Sequence, residues 1–322
     1  NRLFMAAELL HLKKTDWNGL KLCIIEELEA HLHPQAQLKI INRLKEDKDL
    51  QYILTTHSPN ITSQADLKDI IVCKNNKVYP LGNDYTKLDE DNYKYLRRFL
   101  DVTKSNMFFS KGNIIVEGWS EEIVLPVLAK KLGIDLTKNE ISIINVASTA
   151  YLHFAKVFLR NNEDKMGVPI AIVTDLDNRP NENGIFTPLE DEIDKVKKKQ
   201  ENLGNLTTEL SDTDITLQIA KEWTLEWCLY KSCLVSIFKD ALAKVHSGTD
   251  EFKKDENGNY KDTFQEKFIK KLSKKEGTSP IDKVALANEF ADLLEKDSTI
   301  SKEQLENDSY LSYLINSIKH VC

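Results

Sequence analysis

The feature that most constrains the fold is an alternation of short apolar runs and amphipathic stretches that begins near residue 113. The runs at 113–117, 141–147 and 168–177 have strand length and are apolar almost throughout. The stretches between them, 120–133 and 151–161, carry apolar residues at helical spacing. Strands without polar alternation, separated by helices, are typical of a parallel sheet covered on both faces. The sequence therefore predicts an α/β fold.

Acidic residues stand where two of these predicted strands end. Glu117 closes the first strand, and Glu121 falls in the first turn of the following helix, for which Ser120 is the predicted N-cap. Asp175 and Asp177 close the strand IAIVT in the same way. Ligands of parallel sheets collect beyond the carboxyl ends of the strands. Because side chains alternate along a strand, both aspartates are expected on one face, converging on a single ion.

Such a group of carboxylates favours a divalent cation, because like charges repel strongly unless a positive charge lies between them. Hard oxygen ligands suit Mg²⁺ or Mn²⁺, which activate water and neutralise a scissile phosphate. Simpler interpretations stay open: Glu121 and Glu122 also complement a helix dipole, and Asp-x-Asp occurs in ordinary loops. Both motifs in order, at strand ends, favour the functional interpretation.

The first 85 residues suggest part of a nucleotide-binding domain. A helix is predicted over 2–14, strands over 20–27 and 50–58, and helical spacing over 28–46. The strand LCIIEE fits a Walker B motif, in which Glu26 holds Mg²⁺ through water and Glu27 polarises the attacking water. The strand ILTTHS ends in His57, which resembles the switch histidine of ABC ATPases.

A phosphate-binding loop of the form GxxxxGK[ST] does not occur in the 322 residues. We therefore expect these residues to form an incomplete ATP site, with the loop encoded upstream of Asn1. ATP is then expected as a cofactor of the full-length protein.

Further elements follow from local patterns. A hairpin around an Asn-Asn turn is predicted over 69–81, and a helix over 93–103. Helices are predicted over 190–203 and 222–245, and the region 248–282 is loop-rich. The basic clusters KVKKK and KKLSKK, at 195–199 and 270–275, are solvated helix faces or contacts to a phosphate backbone.

Composition bears on the partners and the cellular compartment that we expect. The net charge of −7 does not by itself favour nucleic acid. Five scattered cysteines without a CxxC pair indicate reduced thiols, as in the cytoplasm. The longest apolar runs are far too short to cross a bilayer, so no membrane association is expected.

The segments IIVEGWSE and IVTDLD together resemble the Toprim domain, and the lead-in LRRFLDVTKSNMFFSKGNIIVEG resembles OLD-family (overcoming lysogenization defect) nucleases. In Toprim domains the first glutamate and the Asp-x-Asp pair serve metal-dependent phosphoryl chemistry. The OLD resemblance implies that Glu121 is a further metal ligand. It also implies that Glu226, in EWTLEWCL, supports the metal site, and that Lys283, in DKVALANEF, lies near the scissile phosphate.

The resemblance implies a division into the C-terminal portion of an ABC-type ATPase (1–85), a linker helix (86–111), a Toprim catalytic core (112–240) and a helical C-terminal part (241–322). It implies a DNA endonuclease using one or two Mg²⁺ or Mn²⁺ ions and regulated by the ATPase, through which it forms a homo-oligomer. Bacterial defence against phage, as for the Gabija nuclease subunit, or DNA repair is the expected setting, with a helicase or another defence protein as partner. Two alternatives remain: a non-cleaving, SMC-like DNA-binding protein and a Toprim RNase.

Overall fold

The computed structural model describes residues 11, 14, 19–30, 32–162, 164–181, 193–273 and 279–322. The helix predicted over 2–14 lies almost entirely outside the described residues. The chain divides into two compact units, Asn1–Phe109 and Ser110–Cys322. Among the described residues, no helix is both long enough and apolar enough to cross a membrane.

The first unit contains a two-stranded parallel sheet. Strands β1 (Leu22–Ile25) and β2 (Gln51–Leu54) pair along their whole length and are connected through helix α1 (Pro34–Glu46). The prediction of helix from residue 28 was wrong at its start, because Pro34 occupies the first turn and His33 caps the helix. Proline favours that position, since its φ is fixed and its missing N–H has no partner there. Because the strands are parallel neighbours, their carboxyl ends lie side by side.

The remainder of this unit confirms one prediction and corrects another. Strands β3 (Ile71–Lys74) and β4 (Lys77–Pro80) form the predicted antiparallel hairpin, with both turn asparagines at positive φ. That conformation is the one a two-residue hairpin turn requires. The single helix predicted over 93–103 is broken, because the Asp101 side chain accepts the Lys104 N–H and caps a separate short helix. The helices of this part are α2 (Pro59–Thr62), α3 (Glu90–Phe99) and α4 (Val102–Ser105).

The second unit is built on a four-stranded, wholly parallel sheet, which confirms the α/β fold class. Its strands are β5 (Gly112–Val116), β6 (Ile141–Asn145), β7 (Ile170–Thr174) and β8 (Ile215–Ile219), in the order β6-β5-β7-β8. Every residue of the two central strands, β5 and β7, is buried. The edge strand β8 was not predicted, because Thr216 and Gln218 interrupt its apolar run.

The strand order places a topological switch point between β5 and β7. The chain passes from β5 outward to β6, then returns to the other side of β5 to form β7. Val116 and Val173 are register partners, so both strands end at the same level of the sheet. The loops that leave neighbouring strands toward opposite sides open a crevice, where ligands of open α/β sheets bind. Glu117 and Asp175 therefore leave adjacent strands at this crevice.

Helices surround the sheet and carry most of the core. They are α5 (Trp119–Lys131), α6 (Tyr151–Ala155), α7 (Ile193–Leu210), α8 (Leu225–Lys231), α9 (Val235–Val245), α10 (Phe264–Leu272), α11 (Lys283–Lys296), α12 (Lys302–Glu306) and α13 (Ser312–Val321). Helix α13 packs on β5, β7 and β8, while α11 packs on α5 and α9. Both Trp223 and Trp227 are buried in this core.

Three predicted boundaries in this unit were wrong. The helix predicted over 151–161 ends at Ala155 and continues as a single tight turn. The helix predicted over 222–245 is two helices, because the chain is extended at Ser232. The region 248–282 is not only loop, since α10 forms within it and buries Phe264 and Phe268. Part of that region, 274–278, lies outside the described residues.

Candidate active site

Glu121 reaches the crevice from the first turn of α5. The predicted N-cap was wrong: Gly118 occupies that position, and Ser120 is already helical. The Ser120 hydroxyl instead lies 3.4 Å from both Glu226 Oε1 and the Lys283 carbonyl oxygen. A Cβ on Gly118 would stand 3.2 Å from Glu121 Oε2, so the glycine leaves room for that carboxylate. The residues at the start of α5 therefore contact the site, and no side chain caps the helix.

Glu121, Asp175 and Glu226 form one group of carboxylates, contributed by α5, the end of β7 and α8. Glu121 is 8% exposed and Glu226 is 3% exposed. Burial, followed by the negative charge of Glu226, raises the pKa of Glu121 to about 7. Burial, followed by the charges of Glu121 and Glu226, raises the pKa of Asp175 well above its usual range. Both shifts have burial as their main cause and repulsion between the carboxylates as the second, and each of these favours the protonated form.

Lys283 supplies the positive charge of this group. Its Nζ donates to Glu226 Oε2 at 2.8 Å, and the Thr224 hydroxyl donates to the same oxygen at 2.9 Å. Burial acts to lower the pKa of Lys283, but Glu226, through its charge and hydrogen bond, raises it above its ordinary value. Lys283 is the first residue of α11, whose preceding Asp282 side chain caps the Ala285 N–H. The cap fixes the helix start, and with it the origin of the lysine side chain.

Glu117 and Asp177 form a second group beside the first. The buried Thr174 hydroxyl donates to Glu117 Oε1, and Lys199 forms an ion pair with Asp177. Burial raises the pKa of Glu117; Asp177 adds to the increase, while Thr174 and Lys199 oppose it. The two groups are electrostatically connected, since Glu117 also raises the pKa of Glu121.

The two aspartates do not share one set of partners, contrary to the expectation from strand alternation. Strand β7 ends at Thr174, and Asp177 adopts a left-handed φ of 57° while its N–H donates to the Trp223 carbonyl at 2.9 Å. Alternation applies only within an extended strand. Asp175 therefore meets Glu121 and Glu226, whereas Asp177 meets Lys199.

No three His, Cys, Asp or Glu side chains are arranged to hold a metal ion, within the part of the chain that the structure describes. The donor set nevertheless suits a hard divalent cation in its chemistry. Carboxylates at positions 117, 121, 175, 177 and 226 face two lysines, and burial makes the negative excess costly. Lys199 forms an ion pair with Asp177, and Lys283 forms one with Glu226, so each lysine compensates part of the negative charge.

In the first unit, the three residues predicted to serve ATP lie at neighbouring strand ends. Glu26 and Glu27 follow β1, and His57 follows β2; all three are exposed. Glu27 has a left-handed φ of 46°, and its N–H donates to the Thr55 hydroxyl at 3.1 Å. Glu29, which the sequence did not single out, accepts the His57 N–H at 2.5 Å. The two loops are therefore linked to each other.

Sequence reasoning missed three residues of the second unit that contact the carboxylates. These are Thr174, Thr224 and Lys199. Thr174 directly precedes Asp175 at a strand end, so its position gave a usable signal. Lys199 lay in a basic cluster with no feature to distinguish it from its neighbours, and Thr224 had no signal beyond its closeness to Glu226.

The parallel fold and the strand-end carboxylates define a Toprim-type α/β unit. Residues 108–177 match the domain described as "Overcoming lysogenization defect protein-like, TOPRIM domain", and residues 1–62 match an AAA ATPase domain. The chain thus contains an OLD-like Toprim domain and AAA ATPase sequence, which confirms the resemblance. Glu226 and Lys283 lie beyond the matched Toprim range.

Several curated proteins are similar to part of the chain. The OLD nuclease of Thermus scotoductus is 28% identical over 190 residues, covering 56% of this chain and 34% of that protein. Endonuclease GajA of Bacillus cereus is 26% identical over 214 residues, covering 55% and 30%. Septu protein PtuA of Bacillus thuringiensis is 31% identical over 156 residues, covering 48% and 31%. The chain thus spans about a third of the length of these relatives.

Among solved structures, the C-terminal region of the Xanthomonas campestris pv. campestris OLD protein is 16% identical. It covers 67% of this chain and 94% of that chain, with a TM-score of 0.41.

Proposed function

We propose that residues 110–322 carry the phosphodiester-cleaving centre of a DNA endonuclease that depends on Mg²⁺ or Mn²⁺. The observation that carries the proposal is the group formed by Glu121, Asp175 and Glu226 at the topological switch point. Glu226 raises the pKa of Glu121, and both of these residues raise the pKa of Asp175, so added positive charge would stabilise the ionised group. Relatives named as an OLD nuclease and an endonuclease support the same activity.

The roles follow from the chemistry of each side chain. Glu117, Glu121, Asp175, Asp177 and Glu226 are the residues that would hold one or two ions. When bound, such an ion supplies an activated water and neutralises charge on the phosphate.

The other residues act around this set. Lys283 stabilises negative charge that develops on the scissile phosphate, and its contact with Glu226 keeps it at the site. Thr174 orients Glu117 through its hydroxyl.

The regulatory part of the proposal concerns the whole protein. Glu26, Glu27 and His57 stand at adjacent ends of parallel strands, the arrangement that phosphate-binding and water-positioning residues need. We assign ATP-dependent regulation of the nuclease to them, with homo-oligomers formed through the ATPase. A cytoplasmic role in defence against phage or in DNA repair, with a helicase or another defence protein as partner, extends the resemblance to OLD nucleases.

Nicking of supercoiled plasmid tests the cleavage proposal. We expect nicking with Mg²⁺ or Mn²⁺, none with EDTA, and none by Asp175→Asn. Glu122→Gln is the matched control, because Glu122 neighbours Glu121 in the same helix turn but is held by Asn145 Nδ2 at 2.8 Å. An intact plasmid under all conditions would favour the SMC-like alternative, and cleavage confined to an RNA substrate would favour the RNase.

A further inference from the structure

A groove of 430 Å³ opens beside Asp177. Its wall is formed by the segment after β7, the start of α7, and residues next to α8 and α10. The lining residues are Leu176, Asp177, Arg179, Lys195, Val196, Lys199, Trp223, Leu272 and Ser273. We refer to it as the Asp177 groove.

The charge of this groove is opposite to that of the whole chain. Among the residues that the structure describes, its lining carries the cations Arg179, Lys195 and Lys199 and one carboxylate, that of Asp177. The chain as a whole has a net charge of −7. Elsewhere in the part of the chain that the structure describes, lysines form ion pairs with neighbouring carboxylates, as in Lys244–Glu289. A concentration of positive charge in a cleft attracts anions selectively.

Helix geometry explains why only some lysines of the basic cluster face the groove. Lys195 and Lys199 are four residues apart on α7 and lie on the same side of the helix. Lys197 lies about 200° around the axis from Lys195, is exposed, and does not line the groove. The cluster KVKKK is therefore split between a groove side and a solvent side.

The three cations differ in how they are engaged. Lys199 forms an ion pair with Asp177. Of these two residues Lys199 is the less exposed, with 26% of its side chain accessible. Arg179 and Lys195 form no ion pair with any residue that the structure describes, and thus present their charge to the groove. Arg179 stands two residues after Asp177, so its guanidinium belongs to the same short segment as the candidate site. A guanidinium matches the bidentate geometry of a phosphate.

We propose that the Asp177 groove binds the phosphate backbone of the DNA strand next to the bond that is cut. This inference rests on the proposed nuclease function and names how its substrate is held. Arg179 and Lys195 contact phosphates, while the apolar lining of Leu176, Val196 and Leu272 borders the sugars. Lys199 connects the two sites, since it lines the groove and forms an ion pair with Asp177.

The test measures DNA binding without cleavage, in the Asp175→Asn background with Mg²⁺, by fluorescence anisotropy of a labelled duplex. Arg179→Ala and Lys195→Ala should each weaken binding about five-fold or more. Each should also reduce the slope of log affinity against log salt by about 1, the value for one lost phosphate contact. Lys197→Ala is the matched control and should change affinity less than two-fold. A comparison of Lys195→Glu with Lys197→Glu repeats the test with reversed charge, and the difference in affinity should then be larger.

Equal affinities of the groove and control variants would overturn the groove assignment, even if the protein nicks plasmid as proposed. Selective loss of binding in the groove variants supports it, also if no cleavage is found. The two proposals can therefore fail separately. Thermal unfolding of each variant tests whether the substitution leaves the fold unchanged.

Discussion

Lys283 and Glu226 meet across 57 positions of sequence, with Lys283 Nζ 2.8 Å from Glu226 Oε2. The contact joins the first turn of α8 to the first residue of α11, beside Glu121 and Asp175. The Glu226 side chain is only 4% exposed, whereas 40% of the Lys283 side chain is exposed, so removing the lysine would leave a buried carboxylate uncompensated. The pair therefore contributes to the fold and, in the proposed reaction, to the placement of positive charge at the phosphate.

Lys283→Ala should lower the rate of plasmid nicking by about 10²-fold, the order expected for one lost electrostatic contact to the transition state. Lys283→Arg should restore only part of the rate, because a planar guanidinium does not reproduce a point charge. Single-turnover cleavage at saturating metal measures both.

A control separates this role from simple loss of structure. Added Mn²⁺ should raise the melting temperature of Lys283→Ala, because metal ligands remain, while the cleavage rate stays low. Full-rate cleavage by Lys283→Ala would remove the lysine from the mechanism.

The metal-free protein should lose stability as pH rises from about 4.5 to about 7. Glu121 has a raised pKa of about 7, so the folded state binds a proton that the unfolded state releases near its ordinary pKa. Where the folded state binds more protons, the free energy of unfolding falls with increasing pH; above 7 the penalty is complete. Asp175, with its raised pKa, acts in the same direction.

The substitution Glu121→Gln tests whether ionisation of Glu121 destabilises the metal-free protein. In EDTA at pH 8 the variant should be more stable than the wild type, by on the order of 1–3 kcal/mol, and the difference should shrink at pH 4.5. Urea unfolding at both pH values gives the comparison. A variant less stable than the wild type at pH 8 would contradict the charge excess at this site.

Thr174→Val should reduce cleavage about ten-fold with little change in stability, because it removes the hydroxyl that donates to Glu117 while keeping the side-chain shape. The lost hydrogen bond stabilised the ionised form, so the acid limb of the pH–rate profile should move to higher pH. Thr216→Val is the matched control, since the buried Thr216 hydroxyl has no partner among the described residues. Equal effects of the two substitutions would argue against a role for Thr174 in orienting Glu117.

Two glycine-to-alanine substitutions should change the stability of the protein in opposite directions. A Cβ on Gly112 would stand 2.8 Å from the Val321 carbonyl oxygen and 3.1 Å from Ile141 Cδ1, so Gly112→Ala should destabilise the protein by about 1–3 kcal/mol. Gly204 lies in α7 with open space around it, and Gly204→Ala should stabilise the protein by about 0.5–1 kcal/mol. Thermal unfolding of both variants checks the packing of the C-terminal helix on β5.

Local patterns were sufficient for the elements with strong signals. The buried strands β5 and β7 and the Asn75–Asn76 hairpin both follow from residues close together in sequence. The edge strand β8 and the helix α10 were missed, because an edge strand tolerates polar residues and a short helix gains its stability from packing.

The sequence by itself determined which acids end the strands and the order in which they occur, since both depend on the chain's apolar pattern. Which side chains these acids contact was decided only by the tertiary structure. Strand order brings β5 beside β7, and the packing of α8 and α11 brings Glu226 and Lys283 to them. The left-handed turn at Asp177 directs that side chain to Lys199 and the groove. Such pairings depend on contacts between residues far apart in sequence, whose charges interact only once burial removes them from water.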